Sequence, residues 1–336
     1  MYKRLFDAEN GGFGGAPKFP SPHNLLFLLA YHRRRGDPEC LEMAERTLTR
    51  MYRGGLFDHI GGGFCRYSTD ERFLVPHFEK MLYDNALLIL AYCEAYSNTK
   101  KELYLLAAKR TADFVLREMT APEGGFYSAQ DADSDGVEGK YYLFTPEELI
   151  RLLGPEQGDA FNRHFDITDT GNFEGKSIPN LLHSDPEDRS FDSLLETVYQ
   201  YRKKRCALHL DDKILTAWNC LMIAALCRLY QASGASRYLD AAKQADRFLW
   251  ENLWDGGALH VSFRAGQRGT RGFLDDYAAC LFAQLALYGA TLDQGYLERA
   301  EQLCRDVCDK FQDKEQGGFY LYGTDHESLI LRPKET

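Results

Sequence analysis

The densest group of polar side chains lies between residues 54 and 85, where a loop rich in glycine and aromatic residues runs into an apolar helix pattern. A carboxylate beside an imidazole fixes its tautomer and raises its pKa, which suits histidine for general acid or base catalysis. His77 and Asp84 are seven residues apart, so we predict that they share one face of a helix. The candidates in this segment are His59 and His77 as catalytic residues and Arg66, Glu79 and Asp84 as substrate-binding residues. The structural alternative, with His77 as a helix cap and Glu79 and Lys80 as solvated surface charges, stays open.

Two pairs of adjacent aspartates, Asp211-Asp212 and Asp275-Asp276, open apolar helix patterns. One member of each pair has a structural explanation, because an aspartate at a helix N-terminus caps free amides and complements the dipole. The other member can supply a carboxylate to a cleft, and glycoside hydrolysis needs two such groups. We therefore predict Asp212 and Asp276 as catalytic residues. Aromatic and polar neighbours suit a sugar ring, although core packing explains the tryptophan equally well; these neighbours are Trp218, Asn219, Asp275 and Tyr277.

An aspartate-rich segment at 130–136, QDADSDG, imitates the start of a calcium-binding EF-hand loop. The twelfth position of such a loop is Tyr142 here instead of glutamate, so we predict a β-hairpin turn. Asp131 stays a catalytic candidate and Gln130 a substrate-binding one. The nine cysteines never show C-x-x-C spacing, and the chain has no Walker loop or dinucleotide fingerprint. We predict neither a metal nor a cofactor.

Charge and hydropathy exclude several classes of protein. The net charge is −10 and the basic residues are scattered, which argues against nucleic-acid binding. The longest apolar run falls far short of the ~18 residues that span a bilayer, so no membrane association is predicted. No segment has the pattern of a secretory signal, and we expect a cytoplasmic protein with reduced, mostly buried thiols.

Clusters of adjacent glycines divide the chain into pairs of helical patterns. The pairs are 22–35 with 38–53, 79–97 with 101–118, 212–232 with 235–252 and 274–290 with 294–312, and weaker helical signals cover 146–164 and 190–204. Very short turns inside each pair force its helices antiparallel, while the long glycine-rich segments gather at one end. The first helix of each pair is the more apolar, which predicts an inner ring wrapped by an outer ring.

These patterns predict an all-α fold, an (α/α)6 toroid with short β-hairpins in the loops between helical hairpins, forming one domain over residues 1–336. Five hairpins are found, and we expect the toroid to be incomplete at the C-terminus. The helices at 22–35 and 274–290 should then expose apolar surface, which a homo-oligomer would cover.

Several longer motifs resemble those of a known family. They are APKFP at 16–20, HFEKMLYDNA at 77–86, GGFYSAQDADSDGVEGKYY at 124–142, DDKILTAWN at 211–219, FLDDYA at 273–278 and RPKE at 332–335. The chain resembles the barrel part of the thioredoxin domain-containing family that includes spermatogenesis-associated protein 20. The resemblance implies a six-hairpin glycosidase-like barrel related to N-acylglucosamine 2-epimerases, and a role in carbohydrate metabolism. Family members usually carry a thioredoxin-like domain ahead of the barrel; we expect it to be absent here and a thioredoxin-fold protein to be a partner.

The leading functional hypothesis is an enzyme that acts on a sugar or sugar derivative. Epimerisation or isomerisation would use His59 and His77, whereas hydrolysis would use Asp212 and Asp276. We expect His77, Asp131, Asp212 and Asp276 to line one cleft, with Arg66 and Trp218 at its walls. The alternative is a non-catalytic barrel that binds a ligand or docks a thioredoxin-fold domain, with its polar residues tied up in salt bridges.

Overall fold

The computed structural model describes residues 2–327 and 331–334. The chain forms two compact units, Met1–Phe114 with Ala129–Leu210, and Val115–Ser128 with Asp211–Thr336. The prediction of one domain over 1–336 stays a prediction.

Twelve helices are present in the described residues. In chain order they are α1 Tyr2–Leu5, α2 Pro22–Arg35, α3 Pro38–Arg53, α4 Leu82–Thr99, α5 Glu102–Glu118, α6 Pro146–Leu153, α7 Pro155–His164, α8 Asp192–Arg205, α9 Thr216–Ser233, α10 Ser236–Asn252, α11 Leu274–Thr291 and α12 Gln294–Lys310.

Local sequence signals set the ends of the first hairpin, which spans the predicted residues. Helices α2 and α3 both begin with proline, whose fixed φ suits the first helical turn. Gly36 ends α2 with a φ of 71°, and Asp37 caps α3 by accepting a hydrogen bond from the Glu39 amide at 3.0 Å.

One predicted helix is interrupted. Instead of a single helix over 146–164, α6 and α7 meet at Gly154, whose φ is 87°. Pro155 follows, and because it lacks an amide proton and restricts the residue before it, the first helix must end there.

Ten short strands lie in the loops of the described chain. They are β1 Tyr67–Ser68, β2 Pro76–His77, β3 Lys80–Met81, β4 Ala129–Gln130, β5 Asp133–Ser134, β6 Val137–Glu138, β7 Leu210–Asp211, β8 Ile214–Leu215, β9 Ser262–Arg264 and β10 Gln267–Arg268. In the first unit β1 pairs with β2, β3 with β4 and β5 with β6, all antiparallel. In the second unit β9 pairs with both β8 and β10. The predicted turn at 130–136 is confirmed as the β5–β6 hairpin, with Asp135 and Gly136 at positive φ.

Strand pairing corrects the predicted starts of two inner helices. The helix expected from residue 79 begins at Leu82, and the one expected from residue 212 begins at Thr216. His77 therefore lies in β2 and shares no helix face with Asp84. Asp212 likewise lies before α9. Both predicted helix starts were wrong, because helical periodicity carries no information about strand pairing with distant loops.

The distinction between inner and outer helices holds within the second unit. Helices α9 and α11, the first of their hairpins, pack on each other, and α10 and α12 pack on their own partners. Buried residues are numerous along α9, whereas α12 buries only Ala300 and Leu303. In the first unit α2 packs on both α3 and α4.

Apolar side chains are exposed on the two helices where the sequence predicts it. Phe27 and Tyr31 on α2 are exposed, and so are Phe282 and Leu285 on α11. All nine cysteines are free thiols, and seven of them are buried. Among the described residues, no helix combines the length and the apolar character needed to cross a membrane.

Candidate functional site

Three inner helices each hold a glycine-rich loop through their fourth residue. Asn85 accepts a hydrogen bond from the Phe64 amide at 2.7 Å and donates to the Phe64 carbonyl at 3.0 Å. Asn219 binds Phe126 in the same way, at 2.7 and 2.9 Å. At the fourth position of α11, the Tyr277 hydroxyl accepts from the Leu259 amide at 3.1 Å. Although Asn219 and Tyr277 are predicted to bind substrate, the structure buries both and uses them to hold loops.

Removing one of these asparagines should destabilise the protein. We expect Asn219→Ala to lower the free energy of unfolding by about 2–4 kcal/mol, because it breaks three hydrogen bonds and strands buried backbone groups. Urea denaturation measures the loss. The control is Asn98→Ala, since among the described residues the Asn98 amide donates to Glu94, one turn earlier in its own helix. Equal losses in the two variants would show that the hydrogen bonds from Asn219 to Phe126 contribute nothing special to stability.

The residue just before Asn85 in α4 carries a buried carboxyl group. Asp84 is 7% exposed, and none of the described residues forms a hydrogen bond with its Oδ2. Burial, with a smaller contribution from nearby Glu79, raises the pKa of Asp84 to about 7. The Arg66 guanidinium and a hydrogen bond with Tyr83 oppose this rise. Asp84 is therefore a carboxyl group that holds its proton close to neutral pH.

The equivalent residue of α11 is Asp276, which is also buried. Burial raises its pKa to about 7, although the Phe273 and Ala217 amides favour the ionised form. Both oxygens are engaged: Oδ2 accepts from Phe273 at 2.9 Å and Oδ1 from Ala217 at 3.1 Å. Asp276 thus caps α11 and ties it to the start of α9, which is the structural role expected of one member of the pair.

Arg66, His77 and Glu79 form a partly exposed polar group in the first unit. Arg66 Nη1 donates to Glu79 Oε2 at 3.0 Å, and this oxygen lies 3.9 Å from His77 Nε2. The other ring nitrogen of His77 lies 2.7 Å from Glu138 Oε1. The structure thus holds the imidazole between two glutamates. Because Arg66 also interacts with Tyr83 and Asp84, four predicted site residues come together in this unit, namely Arg66, His77, Glu79 and Asp84.

His59 lies in the core of the first unit, away from solvent. Its ring packs against Tyr52 and Phe57, and its Nε2 lies 3.2 Å from the Gly54 carbonyl. Burial, together with the nearby Arg110 charge, lowers the pKa of His59 to about 3. A neutral, enclosed imidazole cannot supply a proton to a ligand near neutral pH.

The remaining predicted residues are divided between the two units and differ in burial. In the first unit, Asp131 is exposed and Gln130 is buried in β4. In the second unit, Asp275 is exposed and Trp218 is half-buried at the third position of α9. Asp212 is exposed and pairs with Arg264 Nε at 2.6 Å.

Sequence reasoning missed a buried ion network in the first unit. Asp58 accepts two hydrogen bonds from Arg202, at 2.9 and 2.8 Å, and one from Lys80 at 2.8 Å. Burial raises the pKa of Asp58, but the two cations outweigh it and hold the pKa well below its usual range. Lys80 is 1% exposed, so its interpretation as a solvated surface charge is wrong. Arg202 follows Asp58 by 144 residues, and no local pattern could have linked them.

Within residues 2–327 and 331–334, no group of three or more histidine, cysteine, aspartate or glutamate side chains is arranged to hold a metal ion.

Comparisons with known proteins identify relatives for most of the chain. Human spermatogenesis-associated protein 20 is 36% identical over 94% of this chain and 47% of its own length. The uncharacterized protein B0495.5 of Caenorhabditis elegans is 32% identical over 97% of this chain and 51% of its own length. The chain thus spans about half the length of these relatives. No family model matches the chain.

Solved structures with a similar fold include glycoside hydrolases of family 76 (GH76). The α-mannanase BT2949 of Bacteroides thetaiotaomicron is 13% identical, with a TM-score of 0.57 over 93% of this chain and 64% of that one. An α-1,6-mannanase of Salegentibacter sp. HEL1_6, an inactive variant in which two adjacent aspartates are asparagines, was solved with α-1,6-mannotriose. It is 14% identical, with a TM-score of 0.54 over 88% of this chain and 66% of that one. These likenesses confirm the predicted all-α, six-hairpin (α/α)6 fold class.

Proposed function

Since this chain is a homologue of spermatogenesis-associated protein 20 over about half of that protein's length, we propose that it is a carbohydrate-active enzyme whose general acid is Asp84. The observation that carries this proposal is a carboxyl group with a pKa of about 7, to whose Oδ2 no described residue donates a hydrogen bond, near the Glu79 side chain and the His77 imidazole.

Acid catalysis on a sugar needs a group that is still protonated near neutral pH. Asp84 meets this need because an ionised Oδ2 would be buried without a hydrogen-bond donor, so the proton stays on the carboxyl. Its position in the first turn of α4 would favour ionisation through the helix dipole. Burial therefore has the larger effect on its pKa.

The base or nucleophile in this proposal comes from the Arg66, Glu79 and His77 group. Glu79 is ion-paired with Arg66, which favours a carboxylate able to act as base or nucleophile in hydrolysis. His77 is held by Glu138 and could take a proton from a carbon next to a carbonyl, as epimerisation requires. Both reactions use Asp84 as the acid.

The aspartate pair at 275–276 is the second candidate acid site. A fold relative loses activity when two adjacent aspartates become asparagines, and Asp276 has a raised pKa of about 7. Asp84 is the stronger candidate because both oxygens of Asp276 already accept backbone hydrogen bonds. The predicted roles of Asp131 and Asp212 have weaker support, since both side chains are exposed and Asp212 is ion-paired.

Two assays test the proposal and separate the reactions. The protein is incubated with α-1,6-mannotriose, with release of reducing ends as the readout, and with reducing sugars in deuterated water, with exchange at C2 as the readout. We expect one of these activities, and a loss of about 10²–10⁴-fold in kcat for Asp84→Asn. The matched control is Asp159→Asn, which changes an exposed carboxyl on α7 and should leave the rate unchanged. Full activity in Asp84→Asn would exclude Asp84 as the acid.

A non-catalytic barrel that binds a ligand or docks a thioredoxin-fold domain is the competing function. The ion pairs of Glu79 with Arg66 and of Asp212 with Arg264 favour it, because paired charges are less available to a substrate. Saccharide binding without turnover in either assay would support this alternative.

A further inference from the structure

Three aromatic rings form a continuous row on the surface of the first unit. The ring centroids of Phe19 and Tyr67 are 4.9 Å apart, and those of Tyr67 and His77 are 5.1 Å apart. The Tyr67 and His77 rings are stacked with an interplanar angle of 26°, and the Phe19 ring is tilted by 32° against Tyr67. Phe19, at the open end of the row, is 54% exposed. We call Phe19, Tyr67 and His77 the aromatic row.

The backbone explains why these three rings lie side by side. Tyr67 faces His77 across the β1–β2 pair, and Lys18 forms a bridge with Ser68 in both directions, at 2.8 and 2.9 Å. Three neighbouring segments therefore form a short ladder, whose spacing of about 4.8 Å matches the ring separations. Successive side chains point to opposite faces of such a ladder. Accordingly Lys18, Ser68 and Pro76 are buried, and the aromatic row occupies the other face.

A buried cation anchors the open end of the row. Lys18 Nζ donates to Asp7 Oδ2 at 2.6 Å and to the carbonyls of Gly11 and Glu71, each at 2.8 Å. Phe19 is the next residue, so its position is set by this buried anchor although its ring is exposed. A rigid, exposed ring costs little entropy when a ligand stacks on it.

The chemistry around the row favours a neutral saccharide. We infer that the aromatic row is a sugar-binding subsite. It stacks against the C–H face of one pyranose ring, and the neighbouring sugar unit of the same ligand lies at Asp84. Glu79 and Glu138, beside His77, can accept hydrogen bonds from sugar hydroxyls. The Glu79 and Glu138 carboxylates outnumber the Arg66 guanidinium that pairs with Glu79, so this group repels phosphates, which disfavours nucleotides and sugar phosphates. The row thus selects an oligosaccharide over a phosphorylated monosaccharide.

This inference rests on the proposed function, because it assumes that the ligand of the first unit is a sugar. The experiment measures binding of α-1,6-mannotriose, mannose and AMP to the full chain by calorimetry and saturation-transfer NMR. We expect mannotriose to bind more tightly than mannose, and AMP to show no binding. Phe19→Ala should weaken mannotriose binding by about 10-fold and leave mannose binding nearly unchanged, whereas Phe19→Trp should preserve both.

The matched control is Phe27→Ala, which removes a similarly exposed aromatic ring on α2 of the same unit. Because both rings are at the surface, neither variant should disturb folding, and circular dichroism verifies this. Equal affinity in Phe19→Ala and wild type, or an equal loss in Phe27→Ala, would overturn the subsite while leaving the role of Asp84 intact. Tighter binding of AMP than of mannotriose would overturn the saccharide class. Binding of none of the three probes at millimolar concentration would overturn both this subsite and the proposed function.

Discussion

Replacing Asp58 by alanine should lower the free energy of unfolding by about 3–5 kcal/mol, the largest loss we expect from a single substitution in this chain. Asp58 forms ion pairs with two buried cations, Lys80 and Arg202. No other carboxylate in the described part of the first unit does so. Without it, both cations would remain in a medium of low dielectric constant with no anion beside them. The Asp58 side chain also accepts hydrogen bonds from the backbone amides of Ile60 and Gly61, each at 3.0 Å. The loop that follows Asp58 would lose these two bonds as well.

Charge arithmetic predicts an order among the variants. Arg202→Met leaves one cation and one anion buried together, so it should cost less than Asp58→Ala. Aromatic rings would still cover Lys80, whose Nζ lies 4.3 Å from the Phe114 ring centroid. The control is Lys140→Ala, which removes a surface ion pair with Asp135 and should change stability little. Urea denaturation at neutral pH provides the comparison, and a smaller loss for Asp58→Ala than for Arg202→Met would contradict this account.

The second large effect is a pH-dependent stabilisation by Asp84→Asn. Relative to wild type, the variant should gain about 3 kcal/mol in the free energy of unfolding between about pH 5 and about pH 8. The folded wild-type protein binds a proton at Asp84 up to a pKa of about 7, whereas the unfolded chain releases it near 3.8. Between these values the folded state holds more protons, so its stability falls as pH rises. Asparagine resembles the protonated carboxyl and has no proton to lose.

The difference between variant and wild type is the quantity to measure. His59 has a folded pKa of about 3, below the ordinary value of 6.5 for histidine, so its contribution to stability rises with pH and opposes that of Asp84. This contribution cancels when the two proteins are compared at the same pH. Urea titrations at both pH values give the difference, and Asp159→Asn, with an exposed carboxyl, serves as the control. A difference that does not change with pH would mean that Asp84 is ionised throughout, and the proposed acid would be lost with it.

The sequence by itself determined the hairpin plan. Helical periodicity, short turns and the proline and glycine residues at helix ends are local signals, so α2 and α3 span the predicted residues. The hairpin turn at Asp135-Gly136 was likewise predictable, because turn geometry depends on a few adjacent residues. The long motifs also pointed to relatives that the comparisons then identified.

Only the tertiary structure decided what each polar side chain does. The sequence predicts Asp212 as a catalytic residue and Asp84 as a substrate-binding one, yet Asp84 is buried with a raised pKa, whereas Asp212 is exposed and paired with Arg264. Because of strand pairing, α4 and α9 begin later than predicted. His77 pairs with Tyr67 across two strands instead of sharing a helix face with Asp84. The physical reason is that desolvation and pairing depend on atoms that distant segments bring to a site. Local sequence specifies which groups can ionise, whereas the packing around them determines where the proton stays.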